Sequence, residues 1–120
     1  MSILEKLLSV PKLRSTVGRM IEDAKIADDE RRRNGRYPYF QPVMVQMKDS
    51  PELYSAFTRD VSLTGIGLLH WMPIQPQMIS VMGKLMDGTN VRVAVKIAWC
   101  VPCGEGWYIS GGRFTDVENF

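Results

Sequence analysis

The stretch VRVAVKIAW, residues 91–99, decides the fold class. The two charged residues of this stretch, Arg92 and Lys96, both have even numbers. The larger apolar residues occupy every odd position: Val91, Val93, Val95, Ile97 and Trp99. Successive side chains of a β-strand point to opposite faces, so this alternation predicts a strand with one buried and one solvent-facing side. We therefore expect all five apolar residues to face a core.

Short segments of the same kind follow one another from residue 40 onward. They predict six strands, near 40–48, 53–60, 65–70, 78–86, 91–101 and 107–115. Turn-forming residues separate them, and Asp87-Gly88 between two apolar segments is typical of a hairpin. Short antiparallel strands at this spacing predict a small barrel or sandwich. The fold class is therefore mainly β.

The first thirty residues carry a different pattern. Apolar residues recur there at steps of three and four, as in an amphipathic helix: Leu13, Val17, Met20, Ile21 and Ala24. This predicts an N-terminal helical segment over 1–30, followed by a β domain over 31–120. The apolar stripe could pack on its own domain, or it could bind a protein partner or a second copy of the chain. Nothing in the neighbouring sequence decides between these hypotheses.

Composition narrows the class of protein. With 120 residues, 45% of them hydrophobic and 23% charged, the chain is predicted to form one globular unit. A net charge of +2 is too small for binding DNA or RNA through bulk charge. No apolar stretch reaches the ~20 residues of a membrane span, and the N-terminus lacks the pattern of a signal peptide. Cys100 and Cys103 are too close in the sequence for a disulfide between them to stabilise the fold. This favours a reducing compartment and a cytoplasmic location.

Arginines cluster at the predicted junction between the helical segment and the first strand. Arg31, Arg32, Arg33 and Arg36 fall within six positions, directly after Asp28-Asp29-Glu30. The acidic residues could simply balance them. However, arginine is present at all four positions, and a guanidinium group forks onto phosphate and stacks on planar rings. The cluster is therefore a candidate site for recognising a phosphorylated or planar ligand.

A second candidate site lies in the stretch DVSLTG, residues 60–65. Aspartate, serine and glycine all favour turns, so an ordinary turn between two strands is one interpretation. In the other, the side chains form a polar ledge on the barrel. Asp60 could accept hydrogen bonds from N1–H and N2–H₂ of a guanine. Gly65 would let the backbone approach a ring closely or adopt a positive φ.

Together these motifs resemble the PilZ domain, the bacterial receptor module for cyclic di-GMP. The resemblance rests on Arg32-x-x-x-Arg36 followed by Asp60-x-Ser62-x-x-Gly65, and it covers about residues 31–117. Gly111-Gly112-Arg113-Phe114 is similar to the last strand of that family. The resemblance implies a six-stranded antiparallel β-barrel, here preceded by the amphipathic helix. Many members continue into a C-terminal helix, which we expect to be short or absent here.

The resemblance also implies binding of cyclic di-GMP without catalysis. Arg32 and Arg36 would grip guanine and phosphate, Asp60 and Ser62 would hold polar edges of the ligand, and Gly65 would keep the turn open. Arg31, directly before the motif, suggests a further hypothesis. A cation at this position could stack on a second guanine, so that two stacked ligand molecules bind per chain.

The output implied by the family is control of motility, exopolysaccharide synthesis or adhesion through a protein partner not identified by this sequence. A homodimer is a further hypothesis. The alternative function is a PilZ-like interaction domain that does not bind cyclic di-GMP. We expect no metal or other cofactor. Cys100 and Cys103 have the spacing of half a zinc site but lack two further ligands, and His70 has no nucleophile placed near it.

Overall fold

The computed structural model describes residues 15–24 and 36–117. Residues 15–24 are helical (α1). The later range contains seven strands: β1 (Tyr37–Pro38), β2 (Pro42–Met47), β3 (Leu53–Val61), β4 (Gly65–His70), β5 (Met78–Lys84), β6 (Asn90–Gly104) and β7 (Trp107–Val117). The six predicted strands are confirmed as β2 to β7. The two-residue β1 was not predicted, because two residues carry no periodic pattern.

The strands form one antiparallel sheet that closes on itself. Hydrogen-bonded neighbours run in the order β3, β2, β5, β6, β7 and β4, and a further pairing of β3 with β4 completes the ring. β1 stands outside the ring and pairs with the last residues of β3. The mainly β, six-stranded barrel implied by the sequence is therefore confirmed.

The hairpin predicted at Asp87-Gly88 joins β5 to β6. Gly88 has a φ of 86°, a conformation that glycine adopts without a steric cost. The amide of Leu85 donates to the carbonyl of Thr89 at 2.8 Å, and the amide of Gly88 donates to the carbonyl of Leu85 at 2.9 Å. The turn residues therefore specify this connection locally.

Helix α1 shares the core of the barrel. Its buried residues belong to the same hydrophobic cluster as the inward-facing residues of the strands: Val17, Met20, Ile21 and Ala24. Arg19 also forms an ion pair of 2.6 Å with Asp87, and the amide of Met86 donates to Asp23 at 2.9 Å. The apolar stripe of the described helix thus packs on its own domain. Leu13, the first residue of the predicted stripe, lies outside the described residues.

One expectation about β6 is wrong. Val93, Val95 and Ile97 are buried, but Trp99 is 43% exposed. The register shifts between Ile97 and Trp99, where Ala98 is an extra residue opposite β7. A β-bulge of this kind reverses the alternation of side chains, so that Trp99 points outward.

His70 is a buried polar residue of the core, with 1% of its surface exposed. Its Nδ1 lies 2.6 Å from the carbonyl oxygen of Met72, and its Nε2 lies 2.8 Å from the hydroxyl of Ser110. A carbonyl can only accept, so Nδ1 carries the proton and Nε2 accepts from Ser110. Both ring nitrogens are therefore satisfied in the neutral form, which fits a structural role.

Burial lowers the pKa of His70, and this predicts a dependence of stability on pH. The unfolded chain binds a proton near pH 6.5 while the folded chain resists it, so the free energy of unfolding should fall as pH drops below about 6.5. The limiting slope is about 1.4 kcal/mol per pH unit. Urea unfolding between pH 7.5 and 5 would measure it. His70→Gln removes the only histidine of the chain and should flatten the profile in this window; an unchanged slope would contradict the assignment.

Candidate ligand-binding site

The short strand β1 places Arg36 beside the turn that follows β3. Tyr37 pairs with Val61 and Pro38 with Asp60, so the antiparallel register brings Arg36 opposite Ser62. The chain beyond β1 is held by Thr58, whose amide donates to Gln41 O at 2.9 Å and whose hydroxyl accepts from Gln41 N–H at 2.9 Å. These contacts bring Arg36 and Ser62, which are 26 positions apart in the sequence, next to each other.

The guanidinium of Arg36 connects the two sequence motifs. Its Nε and Nη2 donate to Oδ1 of Asp60 at 3.0 and 2.5 Å, and its Nη1 lies 3.5 Å from the hydroxyl of Ser62. The side chain of Arg36 is 40% exposed and that of Asp60 is 23% exposed. The pair is therefore accessible from solvent while its geometry is fixed.

A bulge in β3 adds a second cation, which sequence reasoning missed. Thr58 pairs with Leu68 and Asp60 with Gly67, so Arg59 is an extra residue in β3. Its Nη1 lies 3.8 Å from Oδ2 of Asp60. The carboxylate of Asp60 therefore lies between the guanidinium groups of Arg36 and Arg59.

Two further cations lie on the same side of the sheet. Gly65 pairs with Arg113, and Arg113 pairs with Lys96, so both basic side chains are on the outer face next to the turn. Both residues are exposed. Sequence reasoning could not find this row, because it depends on the register of three strands. Among the described residues paired around this turn, four cations (Arg36, Arg59, Lys96 and Arg113) accompany the carboxylate of Asp60, which favours an anion.

The turn between β3 and β4 is closed by Ser62. Its amide donates to Gly65 O at 2.9 Å, and its hydroxyl accepts from the amides of Thr64 and Gly65 at 3.3 and 3.1 Å. Ser62 is 8% exposed. Its hydroxyl therefore shapes the turn and also faces Arg36.

Gly65 serves the packing of two strands. A Cβ built on it would lie 2.4 Å from the carbonyl oxygen of Gly112 in β7, so only glycine allows this approach. Its φ lies outside the left-handed region, so of the two roles considered for it the positive φ is not adopted. The close backbone approach in this structure is to β7.

The remaining predicted site residues, Arg31 and Arg32, lie outside the described residues. Cys100 and Cys103 are free thiols in the last part of β6, and Cys100 accepts a weak hydrogen bond from the amide of Ile74 at 3.5 Å. Across residues 15–24 and 36–117, no three His, Cys, Asp or Glu side chains converge as metal ligands would. In the same ranges, no helix is both long and apolar enough to cross a membrane.

Comparison with known proteins identifies the family. The family model of the PilZ domain matches residues 30–119, three quarters of the chain. The chain therefore belongs to the PilZ domain family, whose members are regulatory binding domains and include receptors for cyclic di-GMP. A comparison with curated proteins found no match.

Two solved structures share the fold. The Bacillus subtilis inhibitor of motility (MotI/DgrA) superposes with a TM-score of 0.58 at 10% identity, over 74% of this chain and 44% of that protein. The PilZ domain of CeSA, from a cellulose-synthesizing bacterium, gives a TM-score of 0.50 at 24% identity, over 70% of this chain and 82% of that domain. This chain thus spans less than half the length of the motility inhibitor.

The contact at Gly65 predicts a loss of stability when a side chain is added. Gly65→Ala should lower the free energy of unfolding by about 1–3 kcal/mol, because its Cβ would overlap the Gly112 carbonyl. Gly18→Ala is the matched control: no atom lies within 4 Å of its Cβ position, and alanine in a helix is favoured over glycine by about 0.5–1 kcal/mol. Chemical denaturation compares the two. Equal stability of Gly65→Ala and the wild type would contradict the packing role.

Proposed function

We propose that this PilZ domain binds cyclic di-GMP on the outer surface of the barrel, through Arg32, Arg36 and the turn from Asp60 to Gly65. Occupancy is passed to a protein partner in the cytoplasm. One observation carries the proposal. Arg36, from one motif, donates to both Asp60 and Ser62 of the other, so the two motifs form one accessible polar cluster.

The chemistry of the ligand matches this cluster. Cyclic di-GMP carries two phosphates, each with one negative charge, and two guanines that present O6 and N7 as paired acceptors. A guanidinium fork suits both features. Arg36 is already oriented by Asp60, and Arg59 and Arg113 add positive charge around it.

Asp60 has two tasks in the proposed complex. Oδ1 receives two hydrogen bonds from Arg36 and so fixes the direction of the guanidinium. Oδ2 lies 3.8 Å from the nearest nitrogen of Arg59, beyond ordinary hydrogen-bond distance, and is available to accept from a guanine N–H. This arrangement supports guanine selectivity without requiring the Arg36–Asp60 pair to break.

Transmission of the signal would follow from the position of the arginines in the chain. Arg32 lies in the segment that joins α1 to the barrel, and Arg36 lies at the barrel itself. A ligand held by both residues would connect this segment to the barrel surface. The bound ligand would therefore become part of the surface that a partner meets.

Calorimetric titration with cyclic di-GMP tests the binding site. Arg32→Ala and Arg36→Ala should each weaken binding about ten- to hundred-fold, because each removes hydrogen bonds to charged groups worth about 1.5–3 kcal/mol. Arg19→Ala is the matched control. It removes an arginine of similar exposure that pairs with Asp87, outside the polar cluster, and should bind as the wild type does.

Unchanged affinity in a folded Arg36→Ala variant would refute the site. If the wild-type protein takes up no ligand and shows no thermal shift, the proposed function is wrong. The domain would then be a protein-interaction module, and α1 and the outer face of the barrel would be the surfaces to examine for a partner.

The proposed second ligand makes a prediction about stoichiometry. Binding two stacked molecules should give a molar ratio of two per chain, and Arg31→Ala should lower it toward one, since the cation offsets repulsion between two dianions. The same calorimetric titration at saturating ligand measures the ratio. Arg33→Ala, which removes the same charge two positions away, should retain a ratio of two. A wild-type ratio of one at saturation would contradict the hypothesis.

A further inference from the structure

The outer face of the barrel carries an apolar row where an antiparallel sheet usually presents polar residues to water. Phe57 of β3 pairs with Leu69 of β4, and Leu69 pairs with Ile109 of β7. Ile109 pairs in turn with Val101 of β6. Residues paired in this way project to the same side of a sheet. Because Leu68 is fully buried, its neighbour Leu69 and the rest of the row lie on the outer side.

Two tryptophans extend this row. Trp71 directly follows β4, two residues after Leu69, and Trp107 begins β7, two residues before Ile109. Alternate residues of a strand share a face, so both indoles lie on the outer side. The two rings stack on each other with their centroids 3.5 Å apart, and Trp71 is 60% exposed. We refer to Leu69, Trp71, Trp107 and Ile109 as the aromatic ridge.

An open groove of about 480 Å³ lies beside the aromatic ridge. Its lining is mainly apolar and comes from β2, β3 and β5: Pro42, Met44, Phe57 and Met82. Phe57 also pairs with Leu69, so the groove and the ridge are adjacent on one face. Met44 pairs with Met82 across the groove, and methionine side chains adapt readily to the shape of what they contact.

The exposed fractions of the apolar side chains set this face apart. Besides Trp71, Val101 is 45% exposed, and Phe40 is 63% exposed while it stacks on Phe57 with ring centroids 5.0 Å apart. Large contiguous apolar patches are rare on soluble monomers and usually mark an interaction site. The face therefore has the character of a surface that another protein covers.

We infer that this face is a homodimer interface, in which the aromatic ridge of each copy fills the groove of the other. A twofold axis makes every contact twice, because residue i meets residue j and residue j meets residue i. A ridge and a groove side by side on one face are self-complementary in this sense. The inference assigns a surface to the homodimer and does not depend on binding of a ligand.

Charge supports a second copy of the chain as the occupant. The ridge residues carry no charge, and Lys84 is the one charged side chain among the described residues that line the groove. The face of an indole ring attracts a cation, so the ridge suits this groove. The polar cluster, by contrast, is accompanied by Arg59, Lys96 and Arg113, and a twofold contact there would oppose like charges. Self-association is therefore favoured at the ridge and groove.

Analytical ultracentrifugation of the whole chain without ligand tests the interface. The wild type should sediment as a dimer at micromolar concentration and dissociate on dilution. Trp71→Ala removes the most exposed ridge residue and should raise the dimer dissociation constant about ten-fold or more, as for tryptophans at the centre of interfaces. Met44→Lys should do the same by placing a charge in the groove. Met86→Ala, the matched control, removes a side chain that is 58% exposed in the β5–β6 hairpin and should dimerise normally.

Mixing the two variants tests whether ridge pairs with groove. Trp71→Ala keeps an intact groove, and Met44→Lys keeps an intact ridge. A mixed dimer therefore restores one of the two contacts, whereas each variant alone has neither. The mixture should associate more tightly than either variant by itself. A dimer in which ridge packs on ridge would show no such recovery, and that result would overturn the inference.

Two further results would overturn it. A wild type that stays monomeric at every concentration means that another part of the chain, or a different protein, covers this face. Wild-type association of a folded Trp71→Ala variant means that copies meet elsewhere. Thermal unfolding and affinity for cyclic di-GMP should be unchanged in both variants, and if Trp71→Ala is destabilised, Met44→Lys decides. Because sedimentation is measured without ligand, failure here leaves the proposed function standing.

Discussion

The β-bulge at Arg59 is the constraint on which both the barrel and its candidate site depend. A bulge bends a strand and increases its local twist. Before the bulge, β3 pairs with β2, and beyond it the strand pairs with β1, while β4 pairs with β3 from Ala56 to Val61. The same extra residue brings Arg59 and Asp60 to the outer face together. The irregularity that helps the sheet to close therefore also concentrates charge where Arg36 arrives.

Sequence patterns predicted the regular parts of the fold because burial imposes a period of two. The buried Val93 and Val95 alternate with Arg92, Ala94 and Lys96, and Asp87-Gly88 has the residue types of a tight turn. Bulges carry no such signal. An extra residue reverses the alternation, so Trp99 looked like a core residue although it lies outside. Strand periodicity fails in this chain where a residue is inserted into the ladder.

The candidate site was predictable only as far as residue chemistry reaches. Arginine, aspartate and serine in two short motifs indicated recognition of a charged, planar ligand. The grouping of Arg59, Arg113 and Lys96 around them depends on strand register, which a single sequence does not specify. Gly65 illustrates the difference. Its residue type indicated a need for space, but only the pairing of β4 with β7 shows that the Gly112 carbonyl occupies it.

The ion pair between Arg36 and Asp60 contributes little to the stability of the fold. Both side chains are partly exposed, and such pairs stabilise a fold by about 1 kcal/mol or less. Loss of this pair would therefore disturb the barrel little. Helix α1, by contrast, is held by core packing and by contacts of Arg19 and Asp23 with the β5–β6 hairpin. The weak pair and the firmly packed helix lie at opposite ends of the segment that carries Arg31 and Arg32. The two described ends of that segment are thus anchored by different physics, one by apolar burial and the other by a partly exposed ion pair.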